Sequence, residues 1–366
     1  MVKITAIEAI PTTIGYHHAI EASSGVLRAA EHVLIRVRTD EGVVGVGEAA
    51  SRSFVYGESQ ESIVAAVKKW IEPALVGADP FAVNVHQQDL AWLAGNNTAR
   101  GATDIALHDL RGKLLGIPSW RLLGGMKRDI PVTRILSMGS PEEVAVEARD
   151  ARSQWGITSF KVKVGTGIDA DVERVASVRR AVGDDAYIYV DANHGYTAES
   201  AIALMGELGA VGVNLVEEPS PAEDRIGRRR FAVHTAATIM ADESAPDLNS
   251  TVREILDGEA RAISVKTTRT GFTESTQVVA AAVALGARTL IGSQADGMIG
   301  AAAALAFASA FPSLAREPAE LEYYSTLTDT LTVHPLVVRA GTLTPSDAPG
   351  IGVEIDELKL RRYRID

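Results

Sequence analysis

Five charged residues recur at nearly even intervals, each closing a short apolar run. They are Lys163 in FKVKVG, Asp191 in YIYVDANHGY, Glu217 in VNLVEEP, Asp242 in TIMADES and Lys266 in ISVKTTRTG. The intervals are 28, 26, 25 and 24 residues. A step of this size holds one strand, one helix and two short loops. The pattern therefore predicts consecutive βα units with one charged side chain at the end of each strand. In a parallel barrel those ends share one face, the face where active sites are built.

The 366-residue chain is long for a single core and suits a barrel with a second domain. From residue 131 onward, seven apolar runs alternate with helix-like stretches: PVTRILS, TSFKVKV, AYIYVDA, VNLVEE, TIMADE, AISVKT and RTLIGS. A shorter eighth is expected near LAREPAE. The expected fold is α/β, a (β/α)7-8 TIM-like barrel over residues 126–320. Before it, ITAIEAIPTTI and HVLIRVRTDEGVVGVGEA read as strands, with a hairpin at Asp40-Glu41-Gly42. Helical patterns follow, up to the stop at Gly116-Ile117-Pro118. Residues 1–125 are thus an expected α+β capping domain. The strand-like segment 321–366 is expected to return to it, making that domain discontinuous.

Composition narrows the function. There are no cysteines, which removes disulfides and thiolate chemistry and fits a reducing cytoplasm. A net charge of −11 argues against a nucleic-acid partner. The N-terminus MVKITAIEAIPTT does not read as a signal peptide. The run Ile299 to Phe311 is too short to span a bilayer, which takes roughly 20 apolar residues, so it is expected to be a buried helix.

Asp191, Glu217 and Asp242 end strands three, four and five of the expected barrel. Converging carboxylates repel unless a cation joins them. An all-oxygen donor set suits a hard divalent ion, Mg²⁺ or Mn²⁺. One such acid would ordinarily be a solvated loop residue; three in register favour a metal. Lys163 and Lys266 end strands two and six, four apart in a ring of eight and hence opposed. Two ammonium groups facing one another could move protons on either face of a planar intermediate. Lys161, two residues before Lys163, points the same way. Its charge is expected to depress the Lys163 pKa.

FKVKVG, VDANHGY, VEEP, ADES and ISVKTTRTGF, in this order, resemble the enolase superfamily, specifically its muconate-lactonizing branch. The resemblance covers nearly the whole chain. It implies Asp191, Glu217 and Asp242 as metal ligands and Lys163 and Lys266 as the acid/base pair. It sets Lys161 against the substrate carboxylate, with Asn193 and Glu243 supporting from behind. It implies a metal-stabilised enediolate; the lysine base and Mg²⁺ of this superfamily are a documented case. Asp296, in IGSQADGMIG, resembles a position where relatives carry glutamate and is expected near Lys266 or the substrate.

The resemblance also implies two capping-domain loops over the barrel mouth, Gly15 to Gly25 and Ser51 to Ser59. They offer His17, His18, Arg52, Ser53 and Tyr56 as candidate substrate contacts, and His194 lies near Asp191. The TTRTGF run departs from the double glycine of relatives. With SQADG it favours a muconate cycloisomerase turning cis,cis-muconate into muconolactone, with Lys163 as the acid. A dipeptide epimerase or N-acylamino acid racemase remains open, though no Asp-x-Asp follows strand seven. An o-succinylbenzoate synthase-like dehydratase and a non-catalytic barrel are further alternatives. The expected partner is a small carboxylate, and the resemblance implies a homo-oligomer.

Overall fold

The computed structural model describes residues 2–22 and 25–366. Three strands open the chain: β1 (Ile4–Ala22), β2 (Gly25–Thr39) and β3 (Val44–Ala50). They form an antiparallel sheet in that order. The β2–β3 turn falls at Asp40-Glu41-Gly42, with Gly42 at φ 76° and the Thr39 amide on the Val43 carbonyl at 3.2 Å. The segment expected as a loop from Gly15 is instead mostly strand. After a register shift between Gly15 and Ile20, pairing resumes from Ile20↔Leu27 to Ala22↔Gly25. A bulge lets a strand absorb irregular residues without ending. The tip of that expected loop, residues 23–24, lies outside the described residues.

Helix α1 (Asn97–Leu115) packs across this sheet. It can do so because β3 carries Gly45 and Gly47. A Cβ at either would sit 2.1 Å from a carbonyl oxygen of α1, Ala106 or Ala102. The helix ends at Gly116, whose left-handed φ of 67° terminates it.

Seven parallel strands follow: β4 (Thr133–Ile135), β5 (Ser159–Lys163), β6 (Tyr187–Asp191), β7 (Leu215–Glu217), β8 (Thr238–Ala241), β9 (Ala260–Val265) and β10 (Arg288–Ile291). They lie side by side in chain order. The expected eighth strand is only a bridge. The Thr133 amide reaches the Ala319 carbonyl at 2.8 Å, and the Glu320 amide reaches the Ile291 carbonyl at 3.0 Å. Those bonds join the first strand to the last. Pro318 precedes the bridge and has no N–H to extend it.

Tyr189, Leu215, Met240, Ala262 and Leu290 form one buried cluster. Tyr189, Leu215 and Met240 each precede a site carboxylate by two residues. Period-two alternation therefore puts the carboxylates on the inward face, one layer higher. Helices α2 (Thr267–Ala284) and α3 (Met298–Ala310) follow β9 and β10. Every residue of α3 is buried, as its alanine-rich sequence predicts. The tail runs back to β1, where the Thr328 amide meets the Gly15 carbonyl at 2.9 Å and the Ile365 amide meets Pro11 at 3.1 Å. Among the described residues no helix is long and apolar enough to cross a membrane.

Candidate active site

The register of neighbouring strands sets the site. Lys163 pairs with Asp191, and Asp191 with Glu217, so three strand ends line up. Asp242 and Lys266 come one residue after β8 and β9. The structure thus brings Asp191, Glu217, Asp242, Lys163, Lys266 and Lys161 together at one end of the barrel, linked by ion pairs. Lys163 Nζ donates to Asp191 Oδ2 and to Asn193 Oδ1, both at 2.7 Å. Lys266 Nζ donates to Asp242 Oδ2 and, at 3.0 Å, to the Tyr56 hydroxyl.

Lys161 is 2% exposed and sits among carboxylates. Its Nζ lies 3.0 Å from Asp191, 2.6 Å from Glu217 and 2.9 Å from Glu320. Lys161 and Lys163 share Asp191 Oδ2. Alternation turned Lys161 inward, and there a stack of acids is its only solvation.

Charge shifts follow this packing. Burial penalises the Asp191 carboxylate, but Lys161 and Lys163 outweigh it and hold its pKa well below the usual range. Burial likewise opposes Asp242, and Lys266 with Arg269 overcomes it downward. Glu217 goes the other way: burial first, then Asp191, pushes its pKa far up. Glu243 is lifted to about 7 by burial and by Asp242. Burial works against the Lys161 and Lys266 ammonium groups, yet the surrounding carboxylates raise both.

These residues fit a divalent cation. Glu217 is fully buried, and although Lys161 Nζ lies 2.6 Å from it, neither of its oxygens makes a well-formed hydrogen bond. Asp191, Glu320 and Asp242 crowd the same carboxylate, so one shared ammonium leaves the cluster short of positive charge. Glu217, Asp242 and Glu243 each bring an oxygen within 4.8 Å of the others. Glu243, expected to stand behind the ligands, converges with them. Asp191 sits across Lys161 from Glu217.

The remaining expected contacts divide. Tyr56 reaches the site, with its hydroxyl 3.4 Å from Asp242 Oδ1. Arg52 instead ties its loop to the barrel, Nε donating to the Gln294 carbonyl at 3.2 Å. His17 and His18 are exposed on β1 and form no hydrogen bond or ion pair among the described residues. Ser53 bonds the Glu58 carbonyl at 3.4 Å. Asn193 joins Lys163 to Glu243, its amide donating to Glu243 at 2.7 Å. His194 lies 3.6 Å from Glu218. Asp296 is 3% exposed, feels the Lys266 charge, and accepts from the Thr268 hydroxyl at 2.9 Å and the Ser293 hydroxyl at 3.2 Å. Burial, with Glu48 nearby, raises its pKa to about 6.

Several residues of the site escaped sequence reasoning. Arg269 is 2% exposed and donates to Asp242 Oδ1 at 3.0 Å and to the Ala245 carbonyl at 3.0 Å. Its guanidinium lies 5.2 Å from the Tyr56 ring. Its place three residues after Lys266 was the available signal. Glu218 accepts from the Asp242 amide at 2.7 Å and the Ser244 amide at 2.9 Å, which shapes the ADES turn. Glu320 takes Lys161, the Tyr189 hydroxyl at 2.7 Å and the Ser293 amide at 2.9 Å. The expected eighth strand ends there, so the five-residue pattern extends to it.

Comparison with known proteins agrees with this layout. Residues 6–124 match the family model for the mandelate racemase / muconate lactonizing enzyme N-terminal domain. Residues 143–359 match the enolase C-terminal domain-like model. A solved muconate lactonizing enzyme from Mucobacterium Smegmatis, complexed with muconolactone, superposes with a TM-score of 0.97 at 40% identity, covering 100% of both chains. A chloromuconate cycloisomerase of Cupriavidus pinatubonensis is 34% identical, with 99% of each chain covered. An N-succinyl-L-Arg/Lys racemase of Bacillus cereus is 30% identical over 99% of this chain and 98% of its own.

Proposed function

The chain belongs to the muconate-lactonizing branch of the enolase superfamily, and from that premise we propose that it is a muconate cycloisomerase, converting cis,cis-muconate to muconolactone. The observation that carries the choice is the unequal setting of the two lysines. The Lys163 side chain is 26% exposed, whereas that of Lys266 is 7% exposed, beneath Tyr56. Lactonization needs one proton donor on one face of the substrate. The open side of Lys163 supports it as that donor.

In the proposed step one muconate carboxylate oxygen adds to a carbon of the conjugated double bond. The C–O bond forms, and the π electrons move onto the other carboxyl group as an enediolate. The Lys163 ammonium then donates a proton to the α-carbon, leaving a neutral amine and closing the balance. Asp191, Glu217 and Asp242 would hold a divalent cation, which would supply positive charge for the developing enediolate. Lys161 offsets the acids below. Asn193 keeps the Lys163 ammonium aimed, since it accepts one of its three N–H groups. Lys266 and Arg269 hold both oxygens of Asp242.

Loss of muconate absorbance in the ultraviolet, with added Mg²⁺ or Mn²⁺, tests this. No loss with either ion would sink it. A second reading is 1,1-proton transfer on an N-acylamino acid, which the opposed strands of Lys163 and Lys266 favour. Deuterium uptake at the α-carbon of N-succinyl-arginine, without muconate turnover, would replace the first reading with the second.

A further inference from the structure

Behind the active site lies a second polar cleft, between α1, the helix Val83–Asp89 and the start of α2. Three guanidinium groups line it: Arg100, Arg111 and Arg269. Arg111 is 6% exposed. Its Nε donates to the Leu107 carbonyl at 3.1 Å, and its terminal nitrogens meet no partner among the described residues. It forms no ion pair among them within 4.0 Å. Arg100, half-buried, forms none either. His86 is 3% exposed, and neither ring nitrogen makes a well-formed hydrogen bond.

Two acids share the cleft, and both are already engaged. Asp104 accepts from the Phe272 amide at 2.7 Å, the Thr273 amide at 2.9 Å and the Thr273 hydroxyl at 2.6 Å. Gln87 donates to it as well, at 3.2 Å. Glu274 accepts the Leu248 amide at 3.0 Å. Burying an unpaired guanidinium costs several kcal/mol unless an opposite charge meets it. Burial indeed lowers the Arg111 pKa, and Asp104 offsets that only in part. Arg269 belongs to both places, since its NH1 and NH2 hold the Asp242 turn while its Nε is buried without a partner.

We propose that this cleft binds a small oxyanion, an inorganic phosphate or a short dicarboxylate, between Arg100 and Arg111 with His86 alongside. Planar guanidinium groups suit both sources, because each offers paired oxygens. The cleft shares Arg269 with the active site, but Arg100, Arg111 and His86 take no part in the reaction proposed there.

The test is titration of the metal-free wild-type chain with phosphate and, separately, with succinate. Calorimetry gives the affinity, and nitrogen-15 labelled histidines give the place. His86 reports the cleft and His194 the barrel mouth. We expect saturable binding of at least one anion that shifts His86 and leaves His194 still. Phosphate alone identifies an inorganic ligand, and succinate a carboxylate one. Arg111→Met is expected to weaken binding about tenfold, as loss of a charge-assisted pair does. Arg100→Ala, at a half-buried position, keeps the test open if Arg111→Met does not fold. It is expected to weaken binding about fivefold. The proposal is overturned if neither anion binds saturably, if only His194 moves, or if Arg100→Ala leaves the affinity unchanged.

Discussion

Lys163 and Lys266 occupy opposite sides of one barrel mouth, yet their surroundings differ. Lys163 is held by Asp191 and the Asn193 amide oxygen and keeps an open side. Lys266 is covered by Tyr56, and Arg269 stacks against the same ring. The open lysine sits next to Lys161, which is itself neutralised by three carboxylates. The covered one shares Asp242 with a second cation. The fold gives the two strands equivalent positions. What makes them unequal comes from outside the strands: the 51–59 loop and the first turn of α2. Under the proposed reaction, that contrast assigns proton delivery to Lys163 and charge holding to Lys266.

The largest expected effect separates the two directly. Lys163→Ala is expected to lower kcat for muconate by about 10³-fold, the scale of general acid catalysis. Lys266→Ala is expected to lower it about tenfold less, because Arg269 still holds Asp242. Steady-state kinetics on both variants decides. Equal losses, with α-carbon deuterium exchange abolished in both, would break the contrast and with it the one-sided reaction.

Arg269→Met comes next. It removes one member of a fully buried pair and leaves Asp242 short of a donor. The expected cost is about 3 kcal/mol of folding stability. Chemical denaturation measures it, with Arg269→Lys regaining part of the loss. A stability unchanged in Arg269→Met would show that Lys266 alone suffices on the covered side.

The covered side also carries a pH dependence, through Asp296. Its folded pKa of about 6 stands above the ordinary 3.8. The folded protein therefore keeps a proton that the unfolded chain releases. Stability present below pH 3.8 is lost as pH rises toward 6 and stays lost above it. Asp296→Asn keeps the Thr268 and Ser293 contacts and removes the titration. Between pH 4 and 7 it is expected to gain stability over the parent by up to about 3 kcal/mol. Parallel denaturation curves at the two pH values, with no divergence, would refute this.

Much of this contrast was hidden from the sequence for physical reasons. The strand-end charges were legible because period-two alternation and a repeating βα length fix where a strand-end residue points. The positions of Asp191, Glu217, Asp242 and both lysines follow from that alone. Glu320 was not legible, because a two-residue bridge after Pro318 has no apolar run to mark it. Arg269 lies inside a helix, where a basic residue ordinarily reads as a solvated face. Lys161 was turned inward correctly, but alternation says nothing of what lies opposite. Asp296 stands out because it resembles a position where relatives carry glutamate, and its surroundings were not legible. Its burial depends on Glu48, which arrives from β3 and accepts the Gly297 and Gly300 amides at the start of α3. The loop expected over Gly15 to Gly25 rests on the family resemblance, and nothing in its sequence marked the strand pairing that resumes at Ile20 after a register shift.

The finest probe of the contrast is Tyr56→Phe. The hydroxyl accepts from Lys266 Nζ at 3.0 Å and lies 3.4 Å from Asp242, so its removal touches only the covered side. The ring stays, and with it the stacking on Arg269. A single hydrogen bond to a charged group is worth about 1.5 kcal/mol. If Lys266 holds charge, the change falls on how firmly Asp242 is oriented. Divalent-ion affinity should then weaken by about tenfold, while kcat at saturating metal stays near the parent value. If Lys266 instead moves the proton, kcat falls at every metal concentration and its pH profile shifts. A metal titration of kcat in Tyr56→Phe separates the two, since only one of them is rescued by excess Mg²⁺ or Mn²⁺.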